Sequence, residues 1–599
     1  VNLSFKKITQ AVTALQQGQL ETAVSLFDKY IKELRQPQHL HACVIAYYRA
    51  NRFADAETVL KKLIARVPMT PQLASLSADI KKAAGDLKGA IVYYRRALEK
   101  DAQVPELNYN LALALFELSQ VTEAASLLTK AIAARPNYLK AKILLARCHA
   151  GHEQYEDARR ELTRVSELEP QNYAAHYRRG RLHLHLGQSA DAAVALKKAL
   201  QLNPSLTAAE ELLILNSIRA GDRPEAKSLI ETAVARLPDN DNLIALATDW
   251  GIETGVDQPF QHIQSSWDNQ PRPTIFTVYM QRLLSFGNLD GAETLLNNYE
   301  RQFGLDLRWE SGKLQLMLKR ENYSDMLSLI EKSSDKKAHL ELRCMAHFAL
   351  GNYGDCFDCA KQLHLDQPSD QYYLALLTTS LRCLGDKRYT ELVDYNSLVL
   401  EAQLQTQQPS TEANRELIDH LSSLHITTTA PLEQSIKLGT QTPGNLFSQD
   451  RHPSVTALIA ELRGLSQPFF DSLKSAGLDK LHPVRANAPG KPFFNASWSI
   501  KSRSGSYHSS HVHSKGWYSS ACYIDVPEVI NDTSDAGYLL FGEPPFKTRD
   551  RLEPDYRVKP VTGKLVLFPS YFWHSTKPYT GEGDRLVVAF DTSGPNLFV

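Results

Sequence analysis

Three histidines and an arginine near the end of the chain have the types and the spacing to do chemistry. His511 and His513 stand two residues apart in Tyr507-His508-Ser509-Ser510-His511-Val512-His513. Alternate residues of a strand share a face, so both imidazoles can address one point. A third, His574, follows the run Gly563-Lys564-Leu565-Val566-Leu567-Phe568, and Arg585 comes eleven residues later. Imidazoles in this number suit a transition metal. A guanidinium close by suits an anionic co-substrate. The last fifth of the chain therefore reads as an enzyme. His508 has no partner at ligand spacing and would at most line a substrate mouth. Asn495 and Trp498 lie on the preceding strand, Trp498 as a core residue and Asn495 as a polar group that either faces the pocket or does not.

The elements that must position these residues are short. The β-rich runs are Phe493–Ile500, Trp517–Val526, Tyr538–Phe541, Lys564–Phe568 and Arg585–Thr592, separated by Gly, Pro and Asp turns. Many short strands after one or two helices predict a jelly roll or related double-sheet barrel. Ahead of them the composition shifts. Glutamine accumulates from Glu401 to Gln408, and Pro409-Ser410-Thr411 opens a connection. A brief helical pattern follows at Glu416–Leu424. His425-Ile426-Thr427-Thr428-Thr429 is strand-like, residues 431–447 are rich in turn formers, and a helix is expected over Pro453–Ala476. The boundary between two domains, 1–410 and 411–599, is placed near residue 410.

The first domain repeats itself. Ala56, Ala90, Ala124, Ala158, Ala192 and Ala226 fall on one register, each 34 residues after the last. Twelve residues beyond them stand Pro68, Ala102, Pro136, Pro170, Pro204 and Pro238, and seven beyond stand Leu63, Ala97, Ala131, Val165, Ala199 and Ala233. Gly85, Gly187 and Gly221 precede their alanines by five. Small residues let paired helices approach, glycine permits the tight turn, and proline ends the second helix. The register continues less regularly through Gly287 with Ala292, Met326, and Gly351 with Cys356 and Pro368. The three prolines between Gln258 and Pro273 break the spacing, as a degenerate repeat or a bend (258–273).

This array resembles the tetratricopeptide repeat, whose period and helix–turn–helix unit match. The resemblance implies an α-solenoid with a groove that binds a protein or peptide. Arg147 and Arg181 are equivalent positions one unit apart, Tyr109 and Tyr177 are two units apart, and His176-Tyr177-Arg178-Arg179-Gly180-Arg181 is locally basic. Arg147, Arg181 and Tyr177 are candidate peptide contacts, the arginines forming a ladder for carboxylates. The alternative is a solvated face whose arginine stems cover apolar surface.

The C-terminal part resembles the 2-oxoglutarate/iron(II) oxygenases, nearest to a group with His-x-His where most have His-x-Asp. The resemblance rests on Trp498, His511-Val512-His513, the strand ending at Val526-Pro527, Gly563 through Ser570, His574, Arg585, and the segment Gln434 to Phe447. It implies a double-stranded β-helix, making the whole a multidomain α + β protein, and a hydroxylase of a protein or peptide. It implies Fe(II) held by His511, His513 and His574, and 2-oxoglutarate paired with Arg585. Gly563 would turn the chain into the strand that delivers His574. The usual triad includes a carboxylate, and three neutral imidazoles leave the site more positive. Val587 stands where the family often has serine, so Tyr523 is expected to offer the hydroxyl, with Asn495 a further co-substrate contact. The strand Ser519-Ser520-Ala521-Cys522-Tyr523 lacks the family's common glycine and second tyrosine. Two other readings stay open: a scaffold with a non-catalytic barrel, and a three-histidine metal enzyme that does not use 2-oxoglutarate.

Composition limits the partners. The chain has 599 residues, with 67 Lys+Arg against 67 Asp+Glu, so no global field recruits nucleic acid or an anionic membrane. The seven cysteines are odd in number and scattered, as expected of reduced thiols. Cys356-Phe357-Asp358-Cys359 lacks a second pair and is expected to pack, as is Cys522. Without a secretory leader or a long apolar run, the expected location is cytoplasmic.

Overall fold

A computed structural model describes residues 3–99, 102–118, 120–151, 154–186, 188–409, 411–425, 435–442, 445–450, 452–475, 482–486, 493–530 and 534–593. The chain divides into two compact units, one ending at Leu182 and the other running from His183 to Gly594. Among the described residues no helix is long and apolar enough to cross a membrane.

The first unit is helical and built from antiparallel pairs such as Phe53–Ile64 after Pro37–Arg49, and Leu87–Leu98 after Pro71–Ala83. The periodic alanines explain the pairing: Ala56, Ala90, Ala124 and Ala158 are wholly buried, as are Ala97, Ala131 and Val165 seven residues on. A larger side chain at these points would hold the partner helix away. Gly85 joins its two helices at φ +83°, a left-handed turn that costs glycine little. Pro136 and Pro170 lie two residues beyond helices that end at Ala134 and Leu168, where the absent amide hydrogen is not missed. Gly187 lies outside the described residues.

The same pattern opens the second unit, with Ala192, Ala226, Ala292, Met326 and Cys356 all buried on their second helices. Around 258–273 the pair is kept but shortened. The helix Asp241–Thr254 stops at left-handed Gly255, a nine-residue helix Gln261–Asn269 follows, and Pro273 begins the next helix. The break is thus a degenerate repeat.

Nine strands form the sheet among the described residues: β1 Leu400–Gln403, β2 Ile436–Gln441, β3 Phe493–His511, β4 Tyr518–Asp525, β5 Leu539–Phe541, β6 Tyr556–Val558, β7 Lys564–Pro569, β8 His574–Thr576 and β9 Arg585–Ser593. The order is β1-β7-β4-β9-β3-β8-β5-β6, with β2 also on β3, and the pairings are antiparallel. The five strands expected from sequence are present, β3 being far longer than foreseen. Its first half pairs with β9 and its end with β8, so β3 carries the sheet from one layer into the other in a jelly-roll arrangement. β1, β2, β6 and β8 were not legible as strands; each has six residues or fewer and gains its place by pairing. The strand-like pattern at His425–Thr429 falls outside the described residues beyond His425. Gly563 takes φ +80°, and a β-carbon there would meet the Gln407 carbonyl oxygen at 2.4 Å.

One apolar core runs from the last helical pairs into the sheet. It joins Cys344, Phe348, Cys359, Leu374 and Leu376 to Leu417, Leu458, Leu462, Phe541, Leu567 and Phe590. Polar contacts repeat the link: Trp573 Nε1 donates to Thr379 Oγ1 at 2.8 Å, Tyr571 to the Leu392 carbonyl at 2.5 Å, and Tyr395 to Asp555 at 2.7 Å. Both faces of β4 and β7 are covered, which is why they read as apolar runs and not as alternating strands. The thiols of Cys356 and Cys359 are buried in this core, and burial pushes Cys359 up to about 11. A polypeptide beginning at residue 411 would lose β1 and about ten core side chains worth roughly 1.5–3 kcal/mol each, more than a domain's net stability of about 5–15 kcal/mol. It is expected to aggregate or melt without cooperativity by circular dichroism, whereas one beginning at residue 305 keeps a sharp transition.

Candidate metal centre

The pairing of β3 with β8 sets His511 directly opposite His574. His513 lies just past the end of β3, with its backbone amide held by the Ser570 carbonyl at 3.0 Å. The three rings converge, with centroids 4.1 Å apart for His511–His574 and 5.2 Å for His513 to each of the others. One nitrogen from each lies within 4.8 Å of the other two.

The opposite nitrogens decide the tautomers. His511 Nδ1 lies 2.9 Å from the Ser509 carbonyl and His574 Nδ1 lies 3.0 Å from the Phe572 carbonyl. A carbonyl only accepts, so both Nδ1 atoms carry hydrogen and both Nε2 atoms keep a lone pair. His513 Nδ1 meets both Asp591 oxygens at 2.7 Å. Asp591 is itself buried and accepts from the Ser519 hydroxyl at 2.7 Å. The carboxylate missing from the triad thus stands one bond behind it. Sequence reading missed Asp591; only the β4–β9 register, which sets Ser519 opposite Asp591, exposes it.

Burial, followed by its charged neighbours, holds His511 down to about 3 and His574 well below the ordinary histidine value. Burial acts on His513 in the same direction, but the Asp591 charge and hydrogen bond outweigh it and raise this group. Trp498, expected in the core, is half-buried and lies nearly parallel to the His513 ring at 5.7 Å.

Arg585 begins β9 and is 1% exposed. Nη1 donates to the Gly537 carbonyl at 2.6 Å and Nη2 approaches Thr576 Oγ1 at 3.5 Å. Its Nε is buried with no partner among the described residues. Tyr523 is buried opposite Val587 and feels the Arg585 charge. Burial nevertheless carries its phenol up to about 12. Asn495 falls at a bulge of β3, between the pairs Phe494–Thr592 and Ala496–Asp591. That is the Asp591 end of β9, away from Arg585; its side chain lies outside the described residues. An orphaned guanidinium nitrogen fits an anion at the Arg585 end of the site, and three Nε2 lone pairs fit a borderline metal at the other.

In the first unit, Arg147 lies 4.4 Å over the Phe116 ring and Arg181 lies 5.8 Å over Tyr177. Burial, then Arg147 and Arg181, lowers Arg178 to about 10. The two expected arginines therefore converge with a third that sequence reading had only placed in a basic helix.

Comparisons with known proteins match the two parts of the chain separately. A family model described as "Putative 2OG-Fe(II) oxygenase" matches residues 496–591. Tetratricopeptide-repeat models match 14–80, 115–182, 75–138 and 173–206. The DnaJ homolog subfamily C member 7 homolog of Dictyostelium discoideum is 26% identical over 183 residues, which is 28% of this chain and 34% of that protein's length. Among solved structures, MamA is 23% identical, covering 26% of this chain and 92% of its own, with a TM-score of 0.25. Yeast Tom70 is 14% identical, covering 57% and 88%, with a TM-score of 0.32. The chain therefore carries tetratricopeptide repeats over residues 14–206 joined to a domain of the "Putative 2OG-Fe(II) oxygenase" family at 496–591.

Proposed function

We propose that the protein is a 2-oxoglutarate- and iron(II)-dependent oxygenase that hydroxylates a protein or peptide brought to it by the repeats. The observation that carries this reading is the pairing of three convergent Nε2 atoms with a buried arginine whose Nε lacks a partner among the described residues. His511, His513 and His574 would hold Fe(II), with Asp591 orienting His513 and adding negative charge behind it. Arg585 would take the far carboxylate of 2-oxoglutarate, the Tyr523 hydroxyl lying beside it. Asn495, whose backbone lies on β3 beside the Asp591 end of β9, would be a further co-substrate contact. Bound together, iron(II) and 2-oxoglutarate would activate dioxygen, the oxidant, so that one of its oxygen atoms enters succinate as carbon dioxide leaves and the other enters the substrate hydroxyl. Thr576 and Gly537 aim the guanidinium, and Trp498 and Phe568 flank His513 and His574 with apolar rings.

Arg147, Arg178, Arg181 and Tyr177 would receive an acidic segment of the substrate, whose tethering raises its concentration at the iron. Three positive groups drawn together at some desolvation cost support this. The test is succinate formation by iron-loaded protein given 2-oxoglutarate and a lysate peptide pool, with a gain of one oxygen in a peptide by mass spectrometry. Both should appear together and cease without iron.

One observation favours a second reading: a histidine occupies the carboxylate position of the triad. A three-histidine enzyme of another class would be purified with zinc and act without 2-oxoglutarate. Metal analysis and omission of the co-substrate separate the two.

A further inference from the structure

Along the β3–β8 ladder the site has two rungs. His511 faces His574 in the first, and His508 faces Thr576 in the second. β8 advances two residues between these rungs, whereas β3 advances three. The extra residue is a bulge, and it changes the geometry decisively. Residues three apart on a regular strand point to opposite faces; a bulge rephases the strand and returns His508 to the face of His511. The two rings accordingly lie near parallel, 6.2 Å apart at 24°.

The second rung is also where Arg585 arrives. Thr576 Oγ1 receives the His508 backbone amide at 2.8 Å and faces Arg585 Nη2 at 3.5 Å. His508 Nδ1 is 3.0 Å from Ser435 Oγ, which fixes the ring, while Nε2 has no partner among the described residues. Two residues of strand separate the rungs by about 7 Å, a span suited to a five-carbon dicarboxylate.

We infer that His508 is a co-substrate-binding residue, its Nε2–H donating to the same far carboxylate of 2-oxoglutarate that Arg585 holds. This rests on the oxygenase reading above. The Ser435 hydroxyl can donate to Nδ1, and in that arrangement the neutral ring carries its hydrogen on Nε2. The charge that would receive the carboxylate is that of Arg585, which shares the Thr576 hydroxyl with the His508 backbone amide.

The experiment is calorimetric titration of full-length, Mn(II)-loaded protein with 2-oxoglutarate and, separately, with 2-oxobutyrate, which lacks the far carboxylate. His508→Phe should weaken 2-oxoglutarate about 10- to 100-fold, as expected for one hydrogen bond to a charged group. Mn(II) and 2-oxobutyrate affinities should stay within about twofold. His508→Gln, which can still donate, should recover most of the loss and guards against a folding defect in the first variant. Unchanged 2-oxoglutarate affinity in His508→Phe, with a large loss in Arg585→Met, overturns the assignment and leaves the oxygenase reading standing. An equal loss for 2-oxobutyrate or Mn(II) also overturns it, since His508 would then act through the metal. Failure of the wild type to bind 2-oxoglutarate overturns both.

Discussion

Arg585→Met should all but abolish 2-oxoglutarate binding while leaving metal affinity unchanged. Arg585 is almost wholly enclosed, and among the described residues its guanidinium hydrogen-bonds a carbonyl and a distant hydroxyl and lies over the Tyr579 ring. Truncating one member of a buried charge pair typically costs about 2–5 kcal/mol, which is roughly 30- to several-thousand-fold in dissociation constant. Methionine approximates the volume of the arginine stem, so the fold should survive; removing a buried positive charge works in the same direction. Arg585→Lys should recover only part of the affinity, because an ammonium cannot present a planar fork. Calorimetry with Mn(II) in place of iron reads both affinities. A methionine variant that binds 2-oxoglutarate like wild type would remove Arg585 from the site.

Asp591→Asn should weaken divalent-metal binding about 10- to 100-fold, the usual cost of losing a carboxylate behind a metal-bound histidine. The shape is nearly conserved and Ser519 keeps an acceptor, so the thermal transition should move little. The pH dependence carries a second signature. In the metal-free protein His513 is held above its ordinary value, so its pairing with Asp591 contributes stability fully below the unfolded histidine pKa. That contribution is lost as pH rises through the folded value. Metal uptake has the opposite sign, because the metal must displace the Nε2 proton; affinity grows as pH rises through the same value. In Asp591→Asn, burial acts alone and pulls His513 down, so the metal-binding curve should shift to lower pH even as maximal affinity drops. Co(II) titrations followed by visible absorption between pH 5 and 8 would detect both changes. Equal affinity and an unmoved curve would reduce Asp591 to a packing residue.

The part of this protein written in local pattern was legible from residues alone. Alanines at a fixed period mark repeating paired helices, and the types and spacing of His511, His513, His574 and Arg585 mark them as candidates for one site. What tertiary structure alone decided is how separate segments are phased against one another. The bulge that returns His508 to the face of His511, the β4–β9 register that sets Asp591 opposite Ser519, and the core shared by the helix Leu340–Leu350 and β7 all depend on partners far away in sequence. Strand pairing is chosen by long-range packing, and a shift of one residue reverses every side chain, so no local window of sequence contains that information.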